Sequence, residues 1–520
     1  MSKKILVVDI GTQSLRASIV DSDKGIVHHV QKKYEPPYFS VKKDYAEQEP
    51  DFYLETLSKA TRELKEQDAE SFSSLSSMVV VAFRDTSVIL DADKKPIRPA
   101  ILWLDQRTAK LKNLYNLKWY EKVLFRLLGM HDTVKYNSMR TPSFWIMENE
   151  PENWKRMRYY VPLTAYFNYR MTDNLAVSSA DCIGHYPVNF KKGTWFPSWH
   201  PKVNVFGIPM ESLPPLVKPG ETIGKVTAEF SRRSGIPEGL PLLASGSDKS
   251  CETFGNGAID PSVASISLGT ACSIDVVSEK YKEPEMFLPS YGTPYPGAFD
   301  YEIQVYRGLW MLRWFSEQFG ETDLLEAKRE GLPVETFLDR KIASILPGSD
   351  GLVLQPYWGP GLKRPNARGS IIGFSGAHTR FHLYRAIIEG IGFALREGLD
   401  EIVRKTHRMP DHIVVSGGGS RSSLYMQILA DIFGLEVRQA KNPEMTTIGA
   451  AMSAFLAEGV FKTPKEATER FSKTGSIVRP IPKNHEIYDL LYKKVYRHIY
   501  PSLKDVYKNC KDFYLLVNKE

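Results

Sequence analysis

Leu243-Ala-Ser-Gly-Ser-Asp248-Lys-Ser-Cys-Glu-Thr-Phe-Gly-Asn-Gly257 is the stretch on which the fold turns. A β-like apolar approach delivers one aspartate, Asp248, into a glycine-bounded turn. The chain opens on a similar pattern, Ile5-Leu-Val-Val-Asp9-Ile-Gly-Thr-Gln-Ser-Leu-Arg16: strand, aspartate, then glycine and hydroxyl residues. A third turn of this kind stands at Val263-Ala-Ser-Ile-Ser-Leu-Gly269-Thr270. Two phosphate-cradling turns with an aspartate between them point to phosphoryl transfer to a hydroxyl. That chemistry needs little beyond positioning, charge neutralisation and a base.

Working outward from these turns, the pattern is α/β. Residues 4–9 form an apolar run typical of a strand buried on both faces, and Leu15, Ala17 and Ile19 alternate as its hairpin partner. A third strand is expected at Gly25 to Val30, and a helix over 51–66 with Asp51 as its N-cap. Strands follow at Met78 to Phe83 and Ser87 to Leu90, then a helix over 107–128. From about 258 the order recurs: strand Val263–Leu268, the Gly269-Thr270 turn, strand Ser273–Val277, strand Tyr301–Arg307, helix 309–319. The recurrence spans a whole domain, which is pseudo-duplication rather than a solenoid. Residues 380–405 carry a helical stripe through Leu383, Ile387, Ile391, Leu395, Leu399 and Ile402. Gly390, Gly392 and Gly398 inside it mark places where another backbone comes close, since each costs about 1 kcal/mol relative to alanine. The expected division is 3–256, 257–460, and a helical annex at 461–520 rich in Tyr and Lys.

Composition narrows the class. The chain has 520 residues, 42% of them hydrophobic, and a net charge of +7 from 68 Lys and Arg against 61 Asp and Glu. The basic residues are scattered, so a solvated surface is expected rather than a nucleic-acid footprint. The N-terminus is too quickly charged for a signal peptide, and no run approaches 18 uncharged apolar residues. Cys182, Cys251, Cys272 and Cys510 are widely spaced, which indicates neither a zinc site nor a disulfide framework. The expected address is the cytoplasm, with no membrane partner.

Each motif carries two readings. Gly11-Thr12-Gln13-Ser14 after a buried strand can offer amides and hydroxyls to phosphate oxygens, with Asp9 holding Mg²⁺ directly or through water. It can equally be a plain hairpin turn, and it is not a Walker A loop. Gly417-Gly418-Gly-Ser is a strand-to-helix turn whose adjacent glycines suit the close approach of an adenine or ribose ring. Asp248 is a base or a helix-capping residue; an ordinary carboxylate with a pKa of about 4 suffices as a base when the proton leaves late. Arg84 and Asp85, adjacent between two strands, form either a clamp for sugar hydroxyls or a structural ion pair. Trp103-Leu-Asp105-Gln-Arg107 invites the same two readings, with a structural role or the wall of a substrate channel favoured. Lys249 either meets the substrate or pairs with Glu252, i to i+3.

Taken together these segments resemble the FGGY family of carbohydrate kinases over nearly the whole chain. Gly369-Ser-Ile-Ile-Gly-Phe374 followed by His382-Leu-Tyr-Arg-Ala-Ile-Ile-Glu389 is similar to the family's second signature. Trp145-Ile-Met-Glu-Asn149 is similar to the end of its first, with Pro142 where lysine is usual, and Thr447 to Gly459 resembles its closing helix. The resemblance implies two ribonuclease-H-like domains, as in actin and the chaperone ATPases, with ATP and sugar in the cleft between them. It implies Asp248 as catalytic base, Asp9 as the Mg²⁺ residue, and Gly11, Thr12, Gln13 and Ser14 as the first phosphate turn. Gly269 and Thr270 would form the second, with Gly308 at the nucleotide pocket and Gly417, Gly418 and Ser422 at the adenosine turn. Phe83-Arg84-Asp85-Thr86 is similar to the Gln-Arg-Glu-Thr of glycerol kinases, in which the Arg and the carboxylate hold the substrate. Lys249 stands where those enzymes have Gln, and Asn137 near the position of a stacking Tyr, so the subfamily is left open.

The expectation is therefore ATP- and Mg²⁺-dependent phosphorylation of a small sugar, ketose or polyol, with a homodimer left open. The competing readings are an ATP-driven conformational module of the actin or chaperone type, and a non-catalytic sugar-binding regulator. Asp248 together with the Arg84-Asp85 pair weighs against the first, and Asp9, Asp248 and the Gly-Thr turns weigh against the second.

Overall fold

A computed structural model describes residues 2–111, 117–285, 288–358, 364 and 366–517. The N-terminal half is built on strands β1 Lys4–Ile10, β2 Ser14–Asp21, β3 Gly25–Lys33, β4 Ser77–Ala82, β5 Thr222–Lys225 and β6 Pro241–Leu243. Their order is β5-β6-β4-β1-β2-β3. β1 runs antiparallel to β2 and parallel to β4, and β4 parallel to β6. Both faces of β1 are buried, which is why its sequence is a continuous apolar run rather than an alternating one. Leu6 and Val8 join the main core of this half, whereas Ile5 and Val7 face the other way.

The second sheet repeats the first. It comprises β7 Val263–Leu268, β8 Cys272–Ser278, β9 Tyr291–Gly292, β10 Phe299–Val305, β11 His412–Ser416, β12 Glu436–Ala440 and β13 Thr474–Val478, in the order β9-β10-β8-β7-β11-β12-β13. β7 is antiparallel to β8 and parallel to β11, as β1 is to β2 and β4. The duplication read from the sequence is thus a duplication of strand topology.

Helices α1 Pro50–Gln67, α2 Asp248–Gly255, α3 Arg380–Thr406 and α4 Met445–Ala457 complete the frame. Two of them, α2 and α4, lie between the sheets. Ala450, Ala451, Ala454 and Phe455 of α4 pack with Ile5, Val7, Val79 and Val81 of the first sheet. Phe254 of α2 packs with Val277 and Val414 of the second, beside Met445, Ile448 and Met452 of α4. The two helices touch backbone to backbone: a Cβ on Gly449 would lie 1.8 Å from the Cys251 carbonyl oxygen, and one on Gly255 would lie 2.2 Å from that of Met445. Each half therefore lends a helix to the other's sheet.

Several local expectations need correction. Asp51 is not the N-cap of α1; the helix begins at Pro50 and Asp51 binds Arg170 and the Tyr166 hydroxyl. The helix expected over 107–128 is helical only at Trp119–Leu127; residues 112–116 lie outside the described residues, and 107–111 are irregular. The 461–520 segment is helical at Pro464–Phe471 and from Pro482 to Val517, as expected, but it is not helix alone. It supplies the edge strand β13, and Tyr488, Tyr492 and Tyr496 bury their rings against Phe393 of α3. Of the α3 glycines, Gly390 does meet backbone, the Leu354 carbonyl; Gly392 and Gly398 instead receive the side chains of Ile432 and Ile303.

Candidate active site

The parallel strands β1, β4 and β6 all end at one edge of the first sheet, where open α/β sheets place their ligands. Asp9 stands at the end of β1, Arg84 just beyond β4, and Asp248 shortly after β6, as the first residue of α2. In the second sheet the parallel pair β7 and β11 ends in Gly269-Thr270 and Gly417–Gly419.

Asp248 lies in the first turn of α2, whose N-cap is Ser247, with Oδ1 accepting from the Lys249 backbone N–H at 2.8 Å. The helix N-terminus favours its charge. Burial nonetheless raises its pKa above the ordinary value; Arg84 and Lys249 hold that rise back and Glu302 adds to it. Its carboxylate is thus more basic than the ordinary one the sequence suggests. Asp9 is buried and pushed up to about 7, by burial first and also by the charges of Asp248 and Glu444, against the pull of Arg16. Arg16 Nη1 stands 3.3 Å from Asp9 and its Nε 3.1 Å from Glu444.

Arg84 and Asp85 do not pair with one another. The Arg84 guanidinium reaches across the cleft to Glu302 on β10, with two bonds of 2.6 and 2.7 Å, while its Nε stands 3.5 Å from Asp248. Asp85 has φ +54° and turns to His185, accepting from its backbone N–H at 3.0 Å and meeting its Nδ1 at 2.8 Å. Burial raises the Asp85 pKa, but the bonds to His185 outweigh it and the net direction is down. Lys249 takes the partner its spacing allowed, Glu252 at 2.8 Å, and also donates to Ser267 Oγ at 2.6 Å.

The first turn is held from outside. Gly11 N–H bonds to the Ser14 carbonyl at 3.0 Å, and the Trp103 indole donates to Thr12 Oγ1 at 3.0 Å. Trp103 thus forms a wall beside the turn, while Asp105 and Arg107 form a buried ion pair. Gln13 is exposed, whereas the Ser14 hydroxyl is buried and accepts from Gln31 Nε2, committed to the sheet. In the second turn Thr270 is exposed. Gly308 is packed, since a Cβ there would lie 2.3 Å from Cys272 Sγ. The three glycines after β11 have different causes. Gly417 has φ +85° and sits on the Leu268 carbonyl, and Gly419 packs on Leu268 and Leu309; a Cβ on Gly418 would meet nothing within 4 Å. Ser422 caps the following helix through the Tyr425 N–H.

Some site residues escape sequence reading. Asp275 and Glu302 are register partners on β8 and β10, and Asp300 lies two residues before Glu302. Burial, then the charges of Asp300 and Glu302, raise Asp275 well above the ordinary carboxylate range, and burial with Glu302 does the same for Asp300. Asp181 is pushed up to about 7 by burial, with Asp248 adding to the rise. An acid inside an apolar strand, as in Ser273-Ile-Asp275-Val-Val, is the signal that could have flagged the first of these.

The first FGGY carbohydrate-kinase domain model, the N-terminal one, matches residues 4–255, and the C-terminal one matches 264–458. The chain is 27% identical over 517 residues to a xylulose kinase of Lactococcus lactis, covering 98% of this chain and 99% of that one. It is 24% identical over 481 residues to a glycerol kinase of Nitratidesulfovibrio vulgaris, covering 90% and 92%. The solved ligand-bound xylulose kinase of Lactobacillus acidophilus superimposes with a TM-score of 0.81 at 21% identity, covering 98% and 99%. Two ribonuclease-H-like halves with glycine turns at matching strand ends, and both family models in register with them, make one conclusion plain: the chain belongs to the FGGY family of carbohydrate kinases and catalyses ATP-dependent phosphorylation of a sugar.

Proposed function

We propose that the acceptor is a small ketose or polyol, that Asp248 is the base, and that Arg84 orients acceptor and base together. One observation carries this reading: Asp9, Arg84 and Asp248 meet at the ends of three adjacent parallel strands. An acceptor hydroxyl donating to Asp248 loses its proton to that carboxylate late in transfer, when a weak base suffices. Arg84 keeps the carboxylate turned toward the cleft and offers further N–H groups to a neighbouring oxygen.

The residues fit a magnesium ion. Mg²⁺ takes one or two carboxylates and completes its shell with water and phosphate oxygens. Asp9, buried and repelled by Asp248, is a carboxylate whose charge a cation would relieve. No group of three His, Cys, Asp or Glu among the described residues could hold a metal without such help. When bound, Mg²⁺ supplies neutralisation of charge on the transferring phosphoryl group. On the nucleotide side, Gly269, Thr270, Gly417 and Gly418 offer backbone to ATP, and the open space over Gly418 leaves room for a flat ring. No helix among the described residues is long and apolar enough to cross a membrane, and a cytoplasmic site of action accords with a supply of ATP.

The test is acceptor-dependent ADP release across polyols and ketoses, repeated with Asp248→Asn. Turnover should fall by several orders of magnitude while ATP binding and melting temperature persist. Near-parental turnover would remove Asp248 from the role of base.

A further inference from the structure

The start of α2 is tied to the second sheet by a row of polar bonds. Lys249, Glu252 and Asn256, spaced i, i+3 and i+7, share the face of α2 that meets β7 and β11. Lys249 Nζ donates to Ser267 Oγ at 2.6 Å and holds Glu252 Oε2 at 2.8 Å. The other Glu252 oxygen accepts from Ser416 Oγ at 2.7 Å. Asn256 Nδ2 reaches Ser265 Oγ at 2.9 Å and Ser416 Oγ at 2.8 Å.

The three serines are buried in strands that are otherwise largely apolar. Along β7, Ala264, Ile266 and Leu268 turn into the core of the second half, while Ser265 and Ser267 turn the opposite way, to α2. Ser267 and Ser416 are register partners on adjacent strands. Each stands at the mouth of a glycine turn: Gly269 comes two residues after Ser267, and Gly417 directly follows Ser416. Lys249 in turn is the immediate neighbour of Asp248. The turns have anchors of their own, the Leu309 N–H on the Gly269 carbonyl at 3.1 Å and the Ser420 N–H on that of Gly417 at 3.2 Å. The sheet is therefore the fixed member of this seam and the first turn of α2 the held one. Burial raises the Glu252 pKa, but Lys249 and the Ser416 hydroxyl outweigh it, so the pair stays charged. An ion pair withdrawn from water adds little stability over well-packed apolar side chains. Its charged hydrogen bonds are directional, and what they fix is geometry.

We propose that Lys249 and Glu252 are positioning residues, which hold Asp248 in register with the two nucleotide turns, and that Lys249 makes no contact with the acceptor. This rests on the kinase reading above and assigns acceptor choice to residues other than the one that follows the base.

The test has two arms. The first needs no ligand. Ser267→Ala/Ser416→Ala removes both ties to the sheet and leaves the Lys249–Glu252 pair in place. Amide hydrogen exchange over Asp248–Thr253 should quicken about tenfold or more in this variant, with β4 within about twofold of the parent. Unchanged exchange in α2, or equal quickening in β4, overturns the proposal. The second arm follows ADP release across polyols and ketoses for the same variant, for Lys249→Met/Glu252→Met, which leaves no unpaired charge, and for Lys249→Arg. In the first two, kcat should fall about tenfold or more by one common factor for every acceptor, with the KM of acceptor and of ATP within about threefold. Lys249→Arg, which keeps the charge and the donors, should regain most of that loss. A changed ranking of acceptors, or an acceptor KM raised about tenfold by the Lys249 variants alone, makes Lys249 an acceptor ligand and sinks the proposal. Absence of acceptor-dependent ADP release from the parent with any compound would count against the kinase reading, and the exchange arm would still decide whether the seam holds α2.

Discussion

Gly449→Ala places one methyl group where α2 and α4 cross. The added Cβ would lie 1.8 Å from the Cys251 carbonyl oxygen and 2.7 Å from its carbon, about 1.6 Å short of the 3.4 Å at which ordinary contact begins. The obstacle is main chain inside a helix, so no rotamer change relieves it, and the helices must part. Overpacking of this kind costs about 3 kcal/mol, the upper end of the usual range. For a domain of this size that is a fall in Tm of about 6–12 °C. The functional cost is separate. Asp248 opens the helix three residues before Cys251, so a displacement of about 1 Å reaches the proposed base, enough to lower kcat about 100-fold. The ATP KM should change little, because the glycines after β11 lie on another strand. Differential scanning calorimetry and steady-state ADP release read the two effects. Gly376→Ala, whose Cβ would meet nothing within 4 Å, is the control and should match the parent in both. A Gly449→Ala protein with parental Tm and kcat would show that the crossing does not fix the position of the base.

Arg84→Ala should destabilise the protein by about 3 kcal/mol, because Glu302 is left buried without its partner; adding Glu302→Gln should recover part of that loss in chemical denaturation. Gly418→Val should raise the ATP KM at least tenfold more than the acceptor KM, since its side chain enters open space beside the turn; equal effects on both constants would point to a folding defect. Asp9 holds its proton more tightly folded than unfolded, so its contribution favours the folded state fully below about pH 3.8 and is lost as pH rises through about 7. The Tm advantage of nucleotide-free Asp9→Asn over the parent should therefore grow between pH 4 and 7 and level off above; a difference independent of pH would show that Asp9 is not the titrating group.

The sequence carries local patterning openly and contacts across the cleft hardly at all. β1 and β7 are legible because burial on both faces demands continuous apolar runs, and α3 because its stripe follows the helical period. Asp9, Asp248 and the glycine turns are legible because each stands at or just past the end of a strand. The partner of Arg84 is not, since the adjacent Asp85 is the obvious candidate while Glu302 lies 218 residues away. Sequence spacing also cannot show that Gly417 and Gly419 serve packing and only Gly418 faces open space. Gly449 within an apolar helix looks like a mild weakness, although it is the point where two helices come into contact.

The exchange of α2 and α4 between the sheets has a consequence for how this gene could be divided. A fragment ending at Gly257 would keep β1 and β4 but leave Ile5, Val7, Val79 and Val81 without Ala450, Ala451, Ala454 and Phe455 to cover them. The complementary fragment would lack Phe254 against Val277 and Val414. Exposed apolar faces of that kind drive association. Expressed apart, the fragments should aggregate; expressed together, they should find each other. The duplicated strand topology suggests two interchangeable modules, yet neither half is a finished product without the other.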